Sequence, residues 1–116
     1  MTTFLTREQL QSRLASDRRV VLLEALPAHY FLDGHLPGAK HLPHVRVGAL
    51  VPAIVPDKKT PIVVYCASAT CNNSHIAALK LEALGYTDVS VYSGGKQDWT
   101  DAGLPLEKGG IAQDAA

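Results

Sequence analysis

The chain has 116 residues, enough for one compact domain and too few for two. Hydrophobic residues make up 47% and charged residues 19%, which excludes a disordered chain. Eleven basic residues balance eleven acidic ones, so nothing here resembles the clustered positive charge that nucleic acid or anionic membranes demand.

The elements follow in chain order. Thr6-Arg7-Glu8-Gln9 reads as a capping box, and Leu10 and Leu14 fall on one face of the short helix it opens. After the charged turn Asp17-Arg18-Arg19, the run Val20–Leu23 lacks alternation, as a strand covered on both faces does. Pro27 is placed to open a short helix as its first residue, with Gly34 to close it. His41-Leu42 predicts a brief strand, and Val45–Ile54 a helix interrupted by Gly48 and Pro52. Ile62–Tyr65 is a strand rich in branched residues. A helix is predicted over Ser74–Leu84, with Ile76, Leu79 and Ala83 sharing one stripe and Ala77, Leu81 and Leu84 beside it. Gly85 is placed to end it. Val89–Tyr92 alternates as a strand, and Gly94-Gly95 turns into a last helix around Gln97–Ala102. Residues 1–107 are expected to form the single domain and Lys108–Ala116 a flexible tail. Strands separated by helices imply an α/β fold: a small, mostly parallel sheet with helices on both faces.

No apolar run approaches the roughly 20 residues that span a bilayer. The segment Met1–Leu10 lacks a basic cluster and apolar core, so the expected compartment is the cytoplasm. Two cysteines are too few for a disulfide framework and remain core fillers, metal ligands or reactive thiols. Cys66, Cys71 and His75 are at most three metal ligands with irregular spacing, where a structural zinc site wants four.

Cys66 falls where a buried strand ends and a helix is about to begin, the edge at which open α/β sheets bind ligands. A loop entering a helix N-terminus points unpaired N–H groups inward and stabilises a thiolate over a thiol. The small residues Ala67, Ser68, Ala69, Thr70, Asn72 and Asn73 let those amides approach closely. On this reading the Cys66 sulfur is exposed, ionised near neutrality and ringed by amides. The alternative is a buried filler cysteine.

Three segments carry a family resemblance: Gly34-His35-Leu36-Pro37-Gly38-Ala39, the strand-borne Cys66, and Leu84-Gly85-Tyr86 with Gly94-Gly95 and Trp99 through Pro105. In this order and spacing the chain resembles a single-domain rhodanese, a sulfurtransferase, from about Val20 to Glu107. The resemblance implies that Cys66 is the catalytic nucleophile, accepting sulfane sulfur as a persulfide. The donor would be thiosulfate, a persulfide or a polysulfide, and the acceptor a thiol or cyanide. It implies a substrate-binding loop of Ala67, Ser68, Ala69, Thr70, Cys71, Asn72 and Asn73, and no cofactor or metal. It also implies structural roles for Gly34–Ala39 and Gly94–Trp99, with Trp99 a core anchor and His35 a hydrogen-bonded turn residue.

The sequence also departs from the family pattern. Glu24 stands where Asp is usual and Leu26 where Arg usually follows. The loop between Cys66 and Ser74 is long and holds no Arg or Lys. Asn72 stands where Cys-x5-Arg phosphatases and arsenate reductases place the arginine, so phosphatase- or arsenate-reductase-like activity is disfavoured. A donor less charged than thiosulfate is favoured for the same reason. Cys71, in the same loop, is a candidate resolving thiol for a Cys66 persulfide or sulfenate, or else packs against the helix base. His75 either lends partial positive charge near the cradle or sits on the surface. The competing functional class is a non-catalytic or redox-sensing module that uses the Cys66/Cys71 pair.

Overall fold

The computed structural model describes residues 2–109. Five strands form one sheet: β1 (Thr3–Leu5), β2 (Val21–Glu24), β3 (Lys40–His41), β4 (Ile62–Tyr65) and β5 (Val89–Tyr92). Their spatial order is β1-β5-β4-β2-β3, and every neighbouring pair is parallel. Five α-helices connect or follow them: α1 (Arg7–Ser16), α2 (Ala28–Asp33), α3 (Val47–Ile54), α4 (Asn73–Ala83) and α5 (Gly95–Asp101). The expected α/β sheet flanked on both faces is therefore present.

Alternation along the central strands splits the core in two. Ile62 and Val64 point to one face with Leu23, Val89 and Val91, where Val47 and Val51 of α3 and Ala77, Ala78 and Leu81 of α4 cover them. Val63 and Tyr65 point to the other with Leu22 and Tyr92, beneath Leu10 of α1, Phe31 of α2 and Trp99 of α5. Trp99 anchors that layer edge-on to Tyr92, and its indole N–H donates to the Pro105 carbonyl at 2.9 Å. Because both faces are covered, β4 is buried along its whole length and reads as an unbroken apolar run.

The local signals explain most of the boundaries. Thr6 caps α1 through the Gln9 amide, and the Gln9 side chain returns a bond to the Thr6 amide. Gly85 takes φ +98 after α4, a left-handed conformation that favours glycine. Pro27 flanks α2 as its cap instead of being its first residue. The stretch expected as one helix over Val45–Ile54 divides into a 3-10 turn, His44–Arg46, and α3.

Two further features differ from the sequence-based expectation. β1 is an additional edge strand, pairing Thr3, Phe4 and Leu5 with Ser90, Val91 and Tyr92. In α4 the buried face is Ser74, Ala77, Ala78 and Leu81, while Leu79 is 66% exposed and Ile76 and Ala83 lie outside. Small residues on the inner face let the helix backbone sit close to β4 and β5; the bulkier Ile76–Leu79 stripe does not. At the C-terminal end, His35 and Glu107 exchange backbone hydrogen bonds at 2.8 Å, and the Gly109 N–H donates to the Leu32 carbonyl. The rest of the expected tail, 110–116, lies outside the described residues.

Candidate active site

The C-terminal edge of the parallel sheet carries the site. Tyr65 closes β4, Cys66 follows at once, and residues 67–72 loop over to α4. The loop turns on a bond from the Cys71 N–H to the Ser68 carbonyl at 3.1 Å. It is tied to the start of α5, whose Lys96 and Gln97 amides donate to the carbonyls of Cys66 and Ala67 at 3.0 and 2.9 Å. Gly95 makes this approach possible. Its φ is +63, and a Cβ there would lie 2.5 Å from the Cys66 carbonyl oxygen.

Cys66 is buried, with 2% of its surface exposed. Its sulfur lies 3.3 Å from Ser74 Oγ, 3.2 Å from the Cys71 carbonyl oxygen and 4.0 Å from that of Ser68. The Ser74 amide also faces it. Two carbonyls, a hydroxyl and one amide therefore stand where a ring of amides was expected. Burial pushes the Cys66 thiol above the ordinary range, the neighbouring Cys71 adds to this, and the Ser74 hydroxyl and amide pull the other way.

Cys71 is half-buried, more open to solvent than Cys66. Its sulfur meets the Cys66 thiol and the amides of Ala67 and Asn73. Burial opposes ionisation there, but the Cys66 hydrogen bond and the two amides outweigh it and hold Cys71 below the usual thiol range. The thiolate-stabilising loop expected for Cys66 thus acts mainly on Cys71. The other loop residues frame the pair: Ser68 Oγ and Thr70 Oγ1 are 3.1 Å apart, Ala69 and Thr70 are exposed, and Asn72 precedes α4 and accepts the Ile76 amide. His75 turns outward, its ring 5.3 Å from that of Phe4.

Sequence reasoning missed three participants. Ser74, at the start of α4, brings its hydroxyl to 3.3 Å from the Cys66 sulfur. Lys96 reaches under the site to Glu24 at 3.0 Å, and the same Glu24 oxygen accepts the Tyr65 hydroxyl at 2.8 Å. Glu24 is fully buried and its Oε2 has no hydrogen-bond partner. Desolvation outweighs Tyr65 and Lys96 and raises this carboxyl above its ordinary range. An acidic residue closing an otherwise apolar strand was the available signal of such a buried partner. The third is Arg7, which lines a cleft of about 440 Å3 beside Ala69, with Tyr92, Ser93 and Asp98. Its guanidinium is paired with Asp98 at 3.0 Å, both side chains staying partly exposed.

A larger groove of about 830 Å3 runs beside β3, Ala53 and Glu107, but no residue of the cysteine loop lines it. Among the described residues no group of three or more His, Cys, Asp or Glu is placed to hold a metal ion. Among them, too, no helix is long and apolar enough to cross a membrane. His35 is buried, stacks on Phe31 with ring centroids 3.7 Å apart, and its Nδ1 lies 2.9 Å from the Phe31 carbonyl oxygen.

A parallel α/β sheet that presents a thiol at its C-terminal edge, backed by a helix N-terminus, defines a class of cysteine-loop domains. The rhodanese-like domain model matches residues 6–102, and the chain belongs to that family. It is 29% identical over 99 residues to the thiosulfate sulfurtransferase GlpE of Pseudomonas savastanoi pv. phaseolicola, covering 85% of this chain and 90% of that protein. It is also 29% identical over 105 residues to an HTH-type transcriptional regulator of Mycobacterium tuberculosis, covering 90% of this chain and 45% of the regulator. Among solved structures, a thiosulfate sulfurtransferase from Pseudomonas aeruginosa superposes with a TM-score of 0.80 at 28% identity, covering 97% of this chain and 22% of that one. The chain thus spans less than half the length of two of these three relatives.

Proposed function

We propose that this chain is a sulfurtransferase that takes sulfane sulfur from a small donor onto Cys66 as a persulfide and passes it to a thiol or to cyanide. The observation that carries the reading is the Cys66 sulfur at the end of β4, 3.3 Å from the Ser74 hydroxyl at the first turn of α4. Hydroxyl, amide and helix dipole together favour negative charge where a persulfide or a departing anion would carry it. A thiolate of the cysteine loop attacks the donor's outer sulfur, the donor's S–S bond breaks, its remainder leaves as an anion, and the sulfur comes to rest on Cys66 as the persulfide. An acceptor thiolate then attacks the outer sulfur of the Cys66 persulfide and restores the enzyme thiol.

The donor we favour is a persulfide or polysulfide. The loop holds no Arg or Lys, and the nearby Arg7 is already paired with Asp98, so a dianion such as thiosulfate finds little uncommitted positive charge. The same scarcity argues against phosphoryl or arsenate chemistry. The cytoplasm, where thiols stay reduced, suits this activity.

Intact-mass measurement after incubation with cysteine persulfide or polysulfide should show one added sulfur, retained on Cys66 after desalting. Cys66→Ser should lose turnover to cyanide and to thiols. Wild-type protein that gains no sulfur from any donor, or Cys66→Ser that turns over at the wild-type rate, overturns the reading.

A further inference from the structure

Cys66 is enclosed, and residue 71 is one of the neighbours that enclose it. Its sulfur sits 3.2 Å from the Cys71 carbonyl oxygen and also contacts the Ser74 hydroxyl, leaving 2% of the residue exposed. Cys71 keeps part of its surface open, and its sulfur receives the Ala67 and Asn73 amides besides the Cys66 thiol. Of the two thiols, Cys71 is therefore the more accessible to a donor from solvent.

We propose that Cys71 is the thiol that attacks the sulfur donor and that Cys66, packed behind it, receives the sulfane sulfur from Cys71. The proposal rests on the sulfur-transfer reading above and gives the second cysteine a place in it. In the first step the Cys71 thiolate attacks the terminal sulfur of a small persulfide, RS–SH. The donor S–S bond breaks, RS⁻ leaves with the electron pair, and Cys71–S–SH remains. In the second step the Cys66 sulfur attacks the outer sulfur of Cys71–S–SH. The new bond forms Cys66–S–SH, the Cys71–sulfur bond breaks, and the Cys66 proton passes to the departing Cys71 sulfur. One thiol and one persulfide enter this step and one of each emerges, so no oxidant or reductant is consumed.

The lowered Cys71 and raised Cys66 thiols agree with this order, since the thiolate is the attacking form. The arrangement also confines the persulfide to the enclosed position, away from stray thiols, until an acceptor reaches it.

Rapid-quench labelling with one equivalent of cysteine persulfide at pH 7, followed by peptide mass mapping, tests the order. In wild-type protein the added sulfur should appear on Cys71 first and then accumulate on Cys66. Cys66→Ser should still take one sulfur and hold it on Cys71, while Cys71→Ser should load Cys66 several-fold to roughly tenfold more slowly. The wild-type time course stands even where a variant folds poorly. Sulfur on Cys66 with no Cys71 precursor, together with Cys71→Ser loading at the wild-type rate, overturns the relay but leaves sulfur transfer intact. A Cys66–Cys71 disulfide with one hydrosulfide released also overturns it, because Cys66 would then have attacked the inner sulfur. No sulfur uptake by wild-type protein overturns the underlying sulfurtransferase reading itself.

Discussion

Gly95→Ala probes the contact that joins the cysteine loop to the body of the domain. Two penalties add at this position. A side chain at φ +63 costs about 1–2 kcal/mol, because Cβ crowds the carbonyl oxygen. The new Cβ would also stand 2.5 Å from the Cys66 carbonyl oxygen and 2.9 Å from the Ala67 carbonyl carbon and the Ser68 nitrogen. Those are backbone atoms, fixed by the Lys96 and Gln97 amide bonds, so the strain of overpacking adds about 1–3 kcal/mol. The sum is about 2–5 kcal/mol, or a fall in Tm of about 8–20 °C for a domain of this size. Gly38→Ala separates the penalties: its φ is +81, but a Cβ there meets nothing within 4 Å, so only about 1–2 kcal/mol should be lost. Urea and thermal unfolding of both variants, with alkylation of Cys66 in the folded protein, measures the difference. Gly95→Ala should be the less stable of the two and should expose Cys66. Equal losses within about 0.5 kcal/mol, with Cys66 alkylation unchanged, would refute the close packing of loop against α5.

Four further predictions concern the groups in and beneath the cysteine loop. Lys96→Met strips Glu24 of its cation and should destabilise by about 3–5 kcal/mol in urea unfolding, whereas a loss below about 1 kcal/mol would show the pair to be solvated. The Glu24 carboxyl holds its proton more tightly folded than unfolded. Its contribution to stability is therefore full below the ordinary value of 4.5 and declines as pH rises through the folded pKa. That decline should be visible in Tm measured against pH and should vanish in Glu24→Gln. Ser74→Ala removes the hydroxyl 3.3 Å from Cys66 and should raise that thiol further, slowing its alkylation at pH 7; an unchanged rate would show that the hydroxyl does not act on the sulfur. Iodoacetamide at pH 7 should modify Cys71 before Cys66, with the Cys71 pH profile centred below the ordinary thiol value of 9.0 and that of Cys66 above it. The reverse order would contradict the electrostatics of the loop.

Some of this protein was legible in its residues because the relevant signals are local. The capping box at Thr6, the branched run at Ile62–Tyr65 and the glycine stop at Gly85 each act within a few residues. They fix α1, β4 and the end of α4 wherever the chain goes next. β1 carries no comparable signal: three residues, two of them exposed, become a strand only because β5 offers them an edge. The buried side of α4 was equally undecidable, since both of its stripes are apolar. Docking on β4 and β5 selects the one with small residues and thereby turns Ser74 toward Cys66.

The cysteine loop divides along the same line. The residues alone place two thiols in one loop between a buried strand and a helix, without a basic residue beside them. Which sulfur is enclosed and which receives the amides depended on how residues 67–72 fold back over Cys66 and on the bonds that Lys96 and Gln97 make to the loop. Those partners are some thirty residues away in the chain, and only the packing of α5 against the sheet edge brings them there. Charge and hydrogen bonding act over a few ångströms of space, and tertiary structure alone sets those distances.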